Sequence, residues 1–261
     1  MPPTPPQLLA SSHPVLTALL WIAAGIYLAA FLVTAARPSA GRWAVAAGAA
    51  VHLAATVGRG LAIEFFPLTN KVESFSAATL SLALVTAVVW VPLRLYLLPL
   101  LGLLLLAMGA TLSYPLHLAW PPPLMRTIWY PLHVPLSFAC YAIWAAAAAA
   151  ALVWWRDRDP AWLGRIDRLA LWGFALWSLS MVFGGLWGVV AWGAYFMWDP
   201  KIVWSAILWF HYATFLHVRL TPSMQGRAWL RPALAALGFA FVLVAYVGTS
   251  FLFGRSSHAF S

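Results

Sequence analysis

Charged residues are scarce in this sequence, and acidic residues are the scarcest. Only 8% of the 261 residues are charged, and only six are Asp or Glu. A soluble domain carries about a quarter charged residues on its water-facing surface, so this composition excludes a soluble globular fold. The formal net charge of +9 is scattered among predicted loops and forms no patch with interleaved aromatics, which argues against nucleic acid as a partner.

Cysteine is almost absent as well. The single Cys140 lies in an apolar run, so the sequence has no disulfide pair, no CxxC redox motif and no CxxCH haem-attachment motif. The chain is therefore neither a thiol oxidoreductase nor a c-type cytochrome. The sequence also shows no internal repeat of convincing period, which argues against a secondary transporter built from inverted halves.

Long apolar segments are abundant, because 64% of the residues are hydrophobic. About 20 such residues in a helix cross a hydrocarbon layer of ~30 Å. The pattern predicts an all-α fold, a polytopic membrane helical bundle of about eight transmembrane helices that forms a single integral membrane domain over residues 1–261. The predicted spans are 14–35, 43–63, 75–92, 95–113, 134–155, 168–190, 201–219 and 229–251.

Three segments outside these spans are predicted from their composition. Residues 1–13 are expected to be a short disordered lead, 190–201 an outer Trp-rich loop and 252–261 an outer tail. The first span is expected to be too long, and too poorly preceded by positive charge, for a cleaved signal peptide.

Arginines mark one side of the predicted bundle. Most basic residues fall in the loops that follow odd-numbered spans, and the positive-inside rule places those loops in the cytoplasm. An even number of spans then puts both termini on the outer, extracytoplasmic side of a cytoplasmic (inner) membrane, together with the Trp-rich loop. The predicted cytoplasmic set is Arg37, Arg42, Arg94, Arg156, Arg158, Arg165, Arg168, Arg219, Arg227 and Arg231, and the outer set is Arg59, Lys71, Arg126, Lys201 and Arg255.

The predicted outer loop contains WGAYFMWDPK at 192–201. Aromatic rings favour the membrane–water interface, so each ring alone is explained by an interfacial belt. Their density in one loop, interleaved with glycines, instead indicates a shelf for a large planar molecule. The candidate shelf residues are Trp187, Trp192, Tyr195, Phe196, Trp198 and Trp204. Asp199 before Pro200 is typical of a helix start, and its carboxylate is also a candidate to orient a ligand.

Two histidines on the same predicted side as this loop are placed where they could reach it. His133 is at the outer mouth of the fifth span, and His258 follows the last span in the tail. Imidazoles are the usual axial ligands of haem iron, so His133 and His258 are candidate ligands beside a planar shelf.

Two further histidines lie within predicted spans, where an ionisable side chain is costly and therefore a candidate functional group. His217 is near the cytoplasmic end of the seventh span, at the depth expected for a ligand that enters from the cytoplasm. His52 is midway along the second span.

These motifs resemble the Trp-rich "WWD" motif of the cytochrome c assembly family, haem-handling membrane proteins that include CcmC. The similarity is strongest to the CcsA (ResC) branch, whose pattern is close to WGxYWxWDPKExW. Here WGAYFMWDPKIVW is followed by LHVR at 216–219 and SSH at 256–258, and FFPLTNKVES at 65–74 resembles the family's FPLSNxYES. The sequence departs from the pattern at Phe196, Ile202 and Val72, and in its tail, where a Gly before His258 is missing.

The resemblance implies a haem-binding component of a system II-like haem export and lyase complex, which presents haem b for covalent attachment to apocytochrome c. It implies His133 and His258 as axial ligands and His217 as a ligand of an intramembrane haem site. It also implies a CcsB (ResB)-like membrane partner, with catalysis as part of a holocytochrome c synthase rather than as a stand-alone enzyme. His52 is a weaker candidate for the second intramembrane ligand. For the haem propionates, the outer candidates are Arg59, Arg126, Lys201 and Arg255.

Two other functions fit parts of the pattern. A small-molecule permease would use the outer aromatics only as an interfacial belt. A haem-pathway membrane regulator of the same superfamily would carry a related Trp motif with no role in cytochrome c assembly.

Overall fold

The computed structural model describes residues 13–249, and this part of the chain is built from helices joined by short loops, without a β-strand. The helices are α1 Pro14–Ala36, α2 Gly41–Ile63, α3 Lys71–Val88, α4 Arg94–Ser113, α5 Trp129–Asp157, α6 Pro160–Trp192, α7 Pro200–Leu220, α8 Pro222–Gln225 and α9 Leu230–Leu243. A 3-10 turn at Pro123–Met125 precedes α5, and a π-helical turn at Val244–Gly248 continues α9. The predicted lead and tail lie outside the described residues, apart from His13.

The predicted class, an all-α membrane bundle, is confirmed. Seven helices of the described chain are long and apolar enough to cross a membrane. The remaining long helix, α7, has 21 residues and spans about 32 Å at 1.5 Å per residue. It carries the polar or charged residues Lys201, His211, His217 and Arg219. With α7, the described chain has eight long helices, so α7 as the eighth span stays a prediction from the sequence.

Capping residues shift two helix starts away from the predicted positions. The Asn70 side chain accepts the backbone N–H of Glu73 at 3.0 Å, so α3 begins four residues before the predicted residue 75. The Asp159 side chain accepts the N–H of Ala161 at 2.8 Å and is followed by a proline, which starts α6 eight residues before the predicted residue 168. Asp199 caps α7 as predicted, because its carboxylate accepts the N–H of Lys201 at 2.9 Å.

Helix α5 forms the centre of the bundle and packs against α3, α4, α6 and α9. Its alanine-rich middle is almost wholly buried. Small residues let the helices approach closely, and the Cys140 thiol donates a hydrogen bond to the Gly173 carbonyl of α6 at 3.2 Å. Trp144 stacks face to face on Tyr212 of α7, with ring centroids 3.7 Å apart. This close packing holds α5, α6 and α7 together.

The arginines of the predicted cytoplasmic set gather at one end of the bundle. Arg94 donates to the Ala36 carbonyl at 2.8 Å, and Arg42 donates to the Ala87 carbonyl at 2.9 Å. These bonds tie the ends of α1 and α3 to the starts of α4 and α2. At the same end, two arginines form ion pairs with one carboxylate. Arg231 and Arg219 lie 2.8 and 3.5 Å from Asp167. We call this the arginine end. Its location in the cytoplasm remains a prediction from the sequence.

Candidate functional site

A cavity of about 280 Å³ opens at the other end of the bundle, between the start of α3, the start of α5, the end of α6 and the start of α7. We call it the aromatic cavity, because rings form much of its wall. Five of the predicted site residues line it: His133, Trp187, Trp192, Tyr195 and Phe196. The fold therefore brings together residues from α5, α6 and the loop after α6.

His133 is held by hydrogen bonds to α6. Its Nδ1 lies 2.8 Å from the Ser180 carbonyl oxygen and 3.0 Å from the Ser180 hydroxyl. The Ser180 hydroxyl in turn donates to the His133 carbonyl and lies 2.7 Å from the Ser137 hydroxyl. Because a carbonyl oxygen can only accept, we assign the proton to Nδ1, and Nε2 then carries the lone pair of the neutral ring. An Nδ1–H bond to a backbone carbonyl is the usual support of a histidine that ligates metal through Nε2.

Gly184 makes this arrangement possible. A Cβ atom at Gly184 would lie 2.8 Å from both Cε1 and Nδ1 of His133, closer than side chains tolerate. The imidazole therefore occupies the space that a side chain at residue 184 would fill. One helical turn further, the Trp187 ring lies nearly parallel to the imidazole, with centroids 6.4 Å apart and an angle of 19°.

Trp187 is a buried support of the cavity rather than an open shelf. It is 2% exposed, and its indole N–H donates to the Leu124 carbonyl at 2.7 Å. Trp192 meets it edge-on at 4.7 Å between ring centroids, and the Tyr130 ring packs against it at a tilt with 5.0 Å between centroids. These rings fix the end of α6 against the start of α5.

The loop after α6 carries the exposed rings. Gly193 ends the helix in the left-handed conformation, with φ of 74°, which glycine adopts without strain. Tyr195 and Phe196 follow, exposed by 70% and 47%, and both line the cavity. Trp198 is 88% exposed and packs edge-on against Phe196 at 5.4 Å.

Three residues predicted in or beside the aromatic shelf lie outside the wall of the aromatic cavity: Trp198, Asp199 and Trp204. Trp204 packs instead against Phe241 of α9, with centroids 5.7 Å apart. The Asp199 carboxylate, only 7% exposed, is held at the start of α7 by its capping bond. Helix capping therefore accounts for the position of Asp199.

The other predicted site histidines of the described chain are placed apart from the cavity. His217 is exposed near the arginine end, and its Nδ1 donates to the Ala213 carbonyl of the same helix at 2.8 Å. His52 is fully buried, with its ring nitrogens 3.3 Å from the Tyr27 hydroxyl and 2.8 Å from the Ser76 hydroxyl. Both nitrogens of His52 thus have partners inside the bundle. His258 lies outside the described residues.

A buried ion pair near the cavity was not identified as such from the sequence. Arg59 and Glu73 are 2% and 1% exposed, with Nη2 and Oε1 3.2 Å apart. Arg59 also donates to the Leu116 and His117 carbonyls at 3.2 and 2.8 Å, and Glu73 accepts from both the backbone and the hydroxyl of Thr69 at 2.7 Å. This network ties α2 and α3 to the loop after α4. The only sequence signal for it is one acid and one base near the same ends of adjacent helices.

A second cavity, of about 350 Å³ and largely apolar, lies between α3, α4, α5 and α9. Four rings line both cavities: Phe75, Phe138, Tyr141 and Tyr246. Tyr246 belongs to the π-helical turn, and its hydroxyl lies 3.1 Å from the Ser74 hydroxyl. These rings separate the two cavities.

Comparisons with known proteins agree with the motif resemblance. A family model described as "Cytochrome C assembly protein" matches residues 49–255. Curated relatives named cytochrome c biogenesis protein CcsA are similar over a shorter stretch. The protein from a Synechococcus strain is 45% identical over 89 residues, covering 34% of this chain and 24% of the relative. The protein from Gloeobacter violaceus is 48% identical over 81 residues, which cover 31% of this chain and 23% of the relative. The matched stretch thus spans about a quarter of each relative's length.

A solved structure with a similar fold is the cytochrome c haem lyase CcmF. It superposes with a TM-score of 0.60 over 95% of this chain and 47% of that chain. At 21% sequence identity, this likeness shows the shared fold.

Proposed function

Because the chain belongs to the cytochrome c assembly protein family, we propose that it binds haem and presents it at the outer face of the cytoplasmic membrane for covalent attachment to apocytochrome c. The observation that carries the proposal is His133, whose Nδ1 is bonded to the Ser180 carbonyl at the wall of an aromatic cavity. The names of the CcsA relatives and of the CcmF neighbour agree with a role in cytochrome c maturation.

The residues of the aromatic cavity fit haem, here taken as haem b. A neutral imidazole that carries its lone pair on Nε2 is an axial donor for iron. The rings of Trp192, Tyr195 and Phe196 offer flat apolar contacts to a macrocycle. In this proposal His258, in the tail, is the second axial ligand. His217 serves a separate haem site within the membrane, shared with a CcsB (ResB)-like partner.

The chain contributes positioning rather than covalent chemistry. Bound haem supplies two vinyl groups, and a cysteine S–H of the CxxCH apocytochrome adds across each of them, so the sulfur bonds one carbon and the hydrogen goes to the other. His133 would offer Nε2 to the iron, and its Nδ1 contacts with Ser180 would restrict the turning of its ring. The exposed loop at Tyr195 and Phe196 borders the opening where an apocytochrome would approach. Holding both reactants together raises their effective concentration.

The test is the absorption spectrum of the protein purified from haem-sufficient cells, alone and with a CcsB-like partner. We expect a Soret band for the wild type and a reduced or shifted band for His133→Ala and for His258→Ala. Absence of the band in the wild type would overturn haem binding and favour a permease.

The matched control is His117→Ala. The His117 side chain is exposed at the same end of the bundle and does not line the cavity. Its removal should leave the Soret band unchanged. Equal spectra for wild type, His133→Ala and His258→Ala would remove the ligand assignment. Normal cytochrome c maturation in cells that carry either ligand variant would instead favour a regulator of the same superfamily.

A further inference from the structure

Two lysines interrupt the largely aromatic wall of the cavity. Lys71 is the first residue of α3, and Lys201 is the second residue of α7. Both line the aromatic cavity, although they are far apart in the sequence. The fold thus places two lysines in the wall of the same space as His133.

Local helix stability does not account for either lysine. The N-terminus of a helix carries a partial positive charge, so a cation in the first turn is unfavourable. The caps of these two helices are the side chains of Asn70 and Asp199, each of which accepts a backbone N–H. The Asp199 carboxylate also acts electrostatically on the Lys201 ammonium. The lysines also lie at the end of the bundle opposite the arginine end, where the positive-inside rule predicts few cations. Residues that oppose local preferences in this way are typical of binding sites.

The other described cations at this end are engaged elsewhere. The Arg59 guanidinium is buried in its ion pair with Glu73 and bonded to two carbonyls. Arg126 is exposed, donates from Nε to the Pro121 carbonyl at 3.2 Å, and does not line the cavity. Among the described residues, Lys71 and Lys201 are the basic side chains that line this cavity.

From this placement, and resting on the haem function proposed above, we infer that Lys71 and Lys201 bind the two propionate carboxylates of the porphyrin. A planar ligand with two negative charges on one edge matches an apolar cavity lined by two ammonium groups. Holding that edge at α3 and α7 directs the opposite, vinyl-bearing edge of the macrocycle away from the lysines. The lysines are therefore positioning residues that set the orientation of the ligand about its iron–His133 axis.

The test compares haemin with its dimethyl ester, which keeps the iron and the ring but lacks both charges. Each is titrated into the detergent-solubilised full chain, and the Soret band gives the dissociation constant. We expect the wild type to prefer haemin. Lys71→Gln and Lys201→Gln should each weaken haemin binding by about 10-fold or more, since each loses a charge-assisted hydrogen bond to a carboxylate. Binding of the ester should change by less than about 3-fold.

Two control variants separate charge recognition from folding. Arg126→Gln removes a cation from the same end and should leave both dissociation constants unchanged. Lys201→Arg keeps the charge and should retain most of the preference for haemin. The double variant Lys71→Gln/Lys201→Gln should bind haemin and the ester equally.

Three results would overturn the inference. Wild-type protein that binds the ester as tightly as haemin would leave the haem function standing but remove the carboxylate site. Equal losses for haemin and ester in the lysine variants would assign the lysines a purely structural role. Wild-type protein that binds neither probe would remove the haem function and the inference together.

Discussion

At the scale of single residues, the orientation of His133 is the property on which the proposed site depends. The sequence pattern indicates a ligand at this position, but an imidazole can turn about its bonds and bind through either nitrogen. In the structure, the Ser180 carbonyl selects Nδ1 as the donor, and the missing side chain of Gly184 provides the space for the ring. Ser180 and Gly184, which no pattern of metal ligands would indicate, therefore determine which imidazole nitrogen of His133 is available to bind iron.

Gly184→Ala tests this dependence. The added methyl group would displace the imidazole, because its carbon would lie 2.8 Å from two ring atoms. We expect haem affinity to fall by at least 10-fold and the Soret maximum to shift, as measured by titration of the purified protein. Helix stability should not fall, since alanine is favoured over glycine within helices by about 1 kcal/mol.

Gly164→Ala is the matched control on the same helix. A Cβ atom there would meet only the Arg168 guanidinium, at an ordinary distance of 3.7 Å. Its haem affinity should equal that of the wild type. An unchanged affinity in Gly184→Ala would mean that the ring is free to move and that the bond to Ser180 does not set its orientation.

At the scale of helices and loops, the Arg59–Glu73 pair holds the end of the bundle that contains the aromatic cavity. Helix α3 begins beside this pair, and the start of α3 supplies part of the cavity wall. Both side chains are almost fully removed from water, so neither can lose its partner without leaving a buried charge. The pair thus stabilises the position of Lys71 without lining the cavity itself.

Glu73→Gln should destabilise the protein by about 3–5 kcal/mol, the usual cost of breaking a buried ion pair. The measurement is the midpoint of thermal unfolding in detergent, followed by the loss of helical circular dichroism. The exposed pair Arg156–Asp157, at 3.7 Å, provides the control, and Asp157→Asn should cost less than about 1 kcal/mol. Similar midpoints for the two variants would contradict the structural role of the buried pair.

At the scale of the whole molecule, the orientation in the membrane follows from the distribution of arginines. Contacts such as Arg94 to Ala36 and Arg231 to Asp167 place the arginine-bearing loops at one end, away from the aromatic cavity. The positive-inside rule then predicts that the aromatic cavity faces the extracytoplasmic side.

Single-cysteine labelling with a membrane-impermeant maleimide tests this orientation in spheroplasts. Trp198→Cys should be labelled from outside, because residue 198 is 88% exposed. Arg156→Cys should be labelled only after permeabilisation, although its side chain is 76% exposed. The native Cys140 is fully buried and should contribute no background. The reverse pattern of labelling would place the cavity in the cytoplasm.

Much of the fold was predictable from the sequence because its determinants are local. Apolar length indicates the spans, and Asp199 before Pro200 indicates the start of α7. The start of α3 was predicted four residues too late, because hydropathy does not register the helix cap that the Asn70 side chain forms. The start of α6 was missed for the same reason at Asp159. Polar residues next to a span extend a helix whenever their side chains satisfy its first N–H groups.

The site was predictable only in part. The sequence by itself determined that the chain is a multi-pass helical membrane protein and which aromatic loop and histidines characterise its family, since composition and short motifs are local properties. Only the tertiary structure decided that Trp187 is a buried support and that Lys71 shares a cavity with Lys201. Such pairings depend on how distant helices pack, and that is set by many weak contacts across the whole bundle rather than by any one segment.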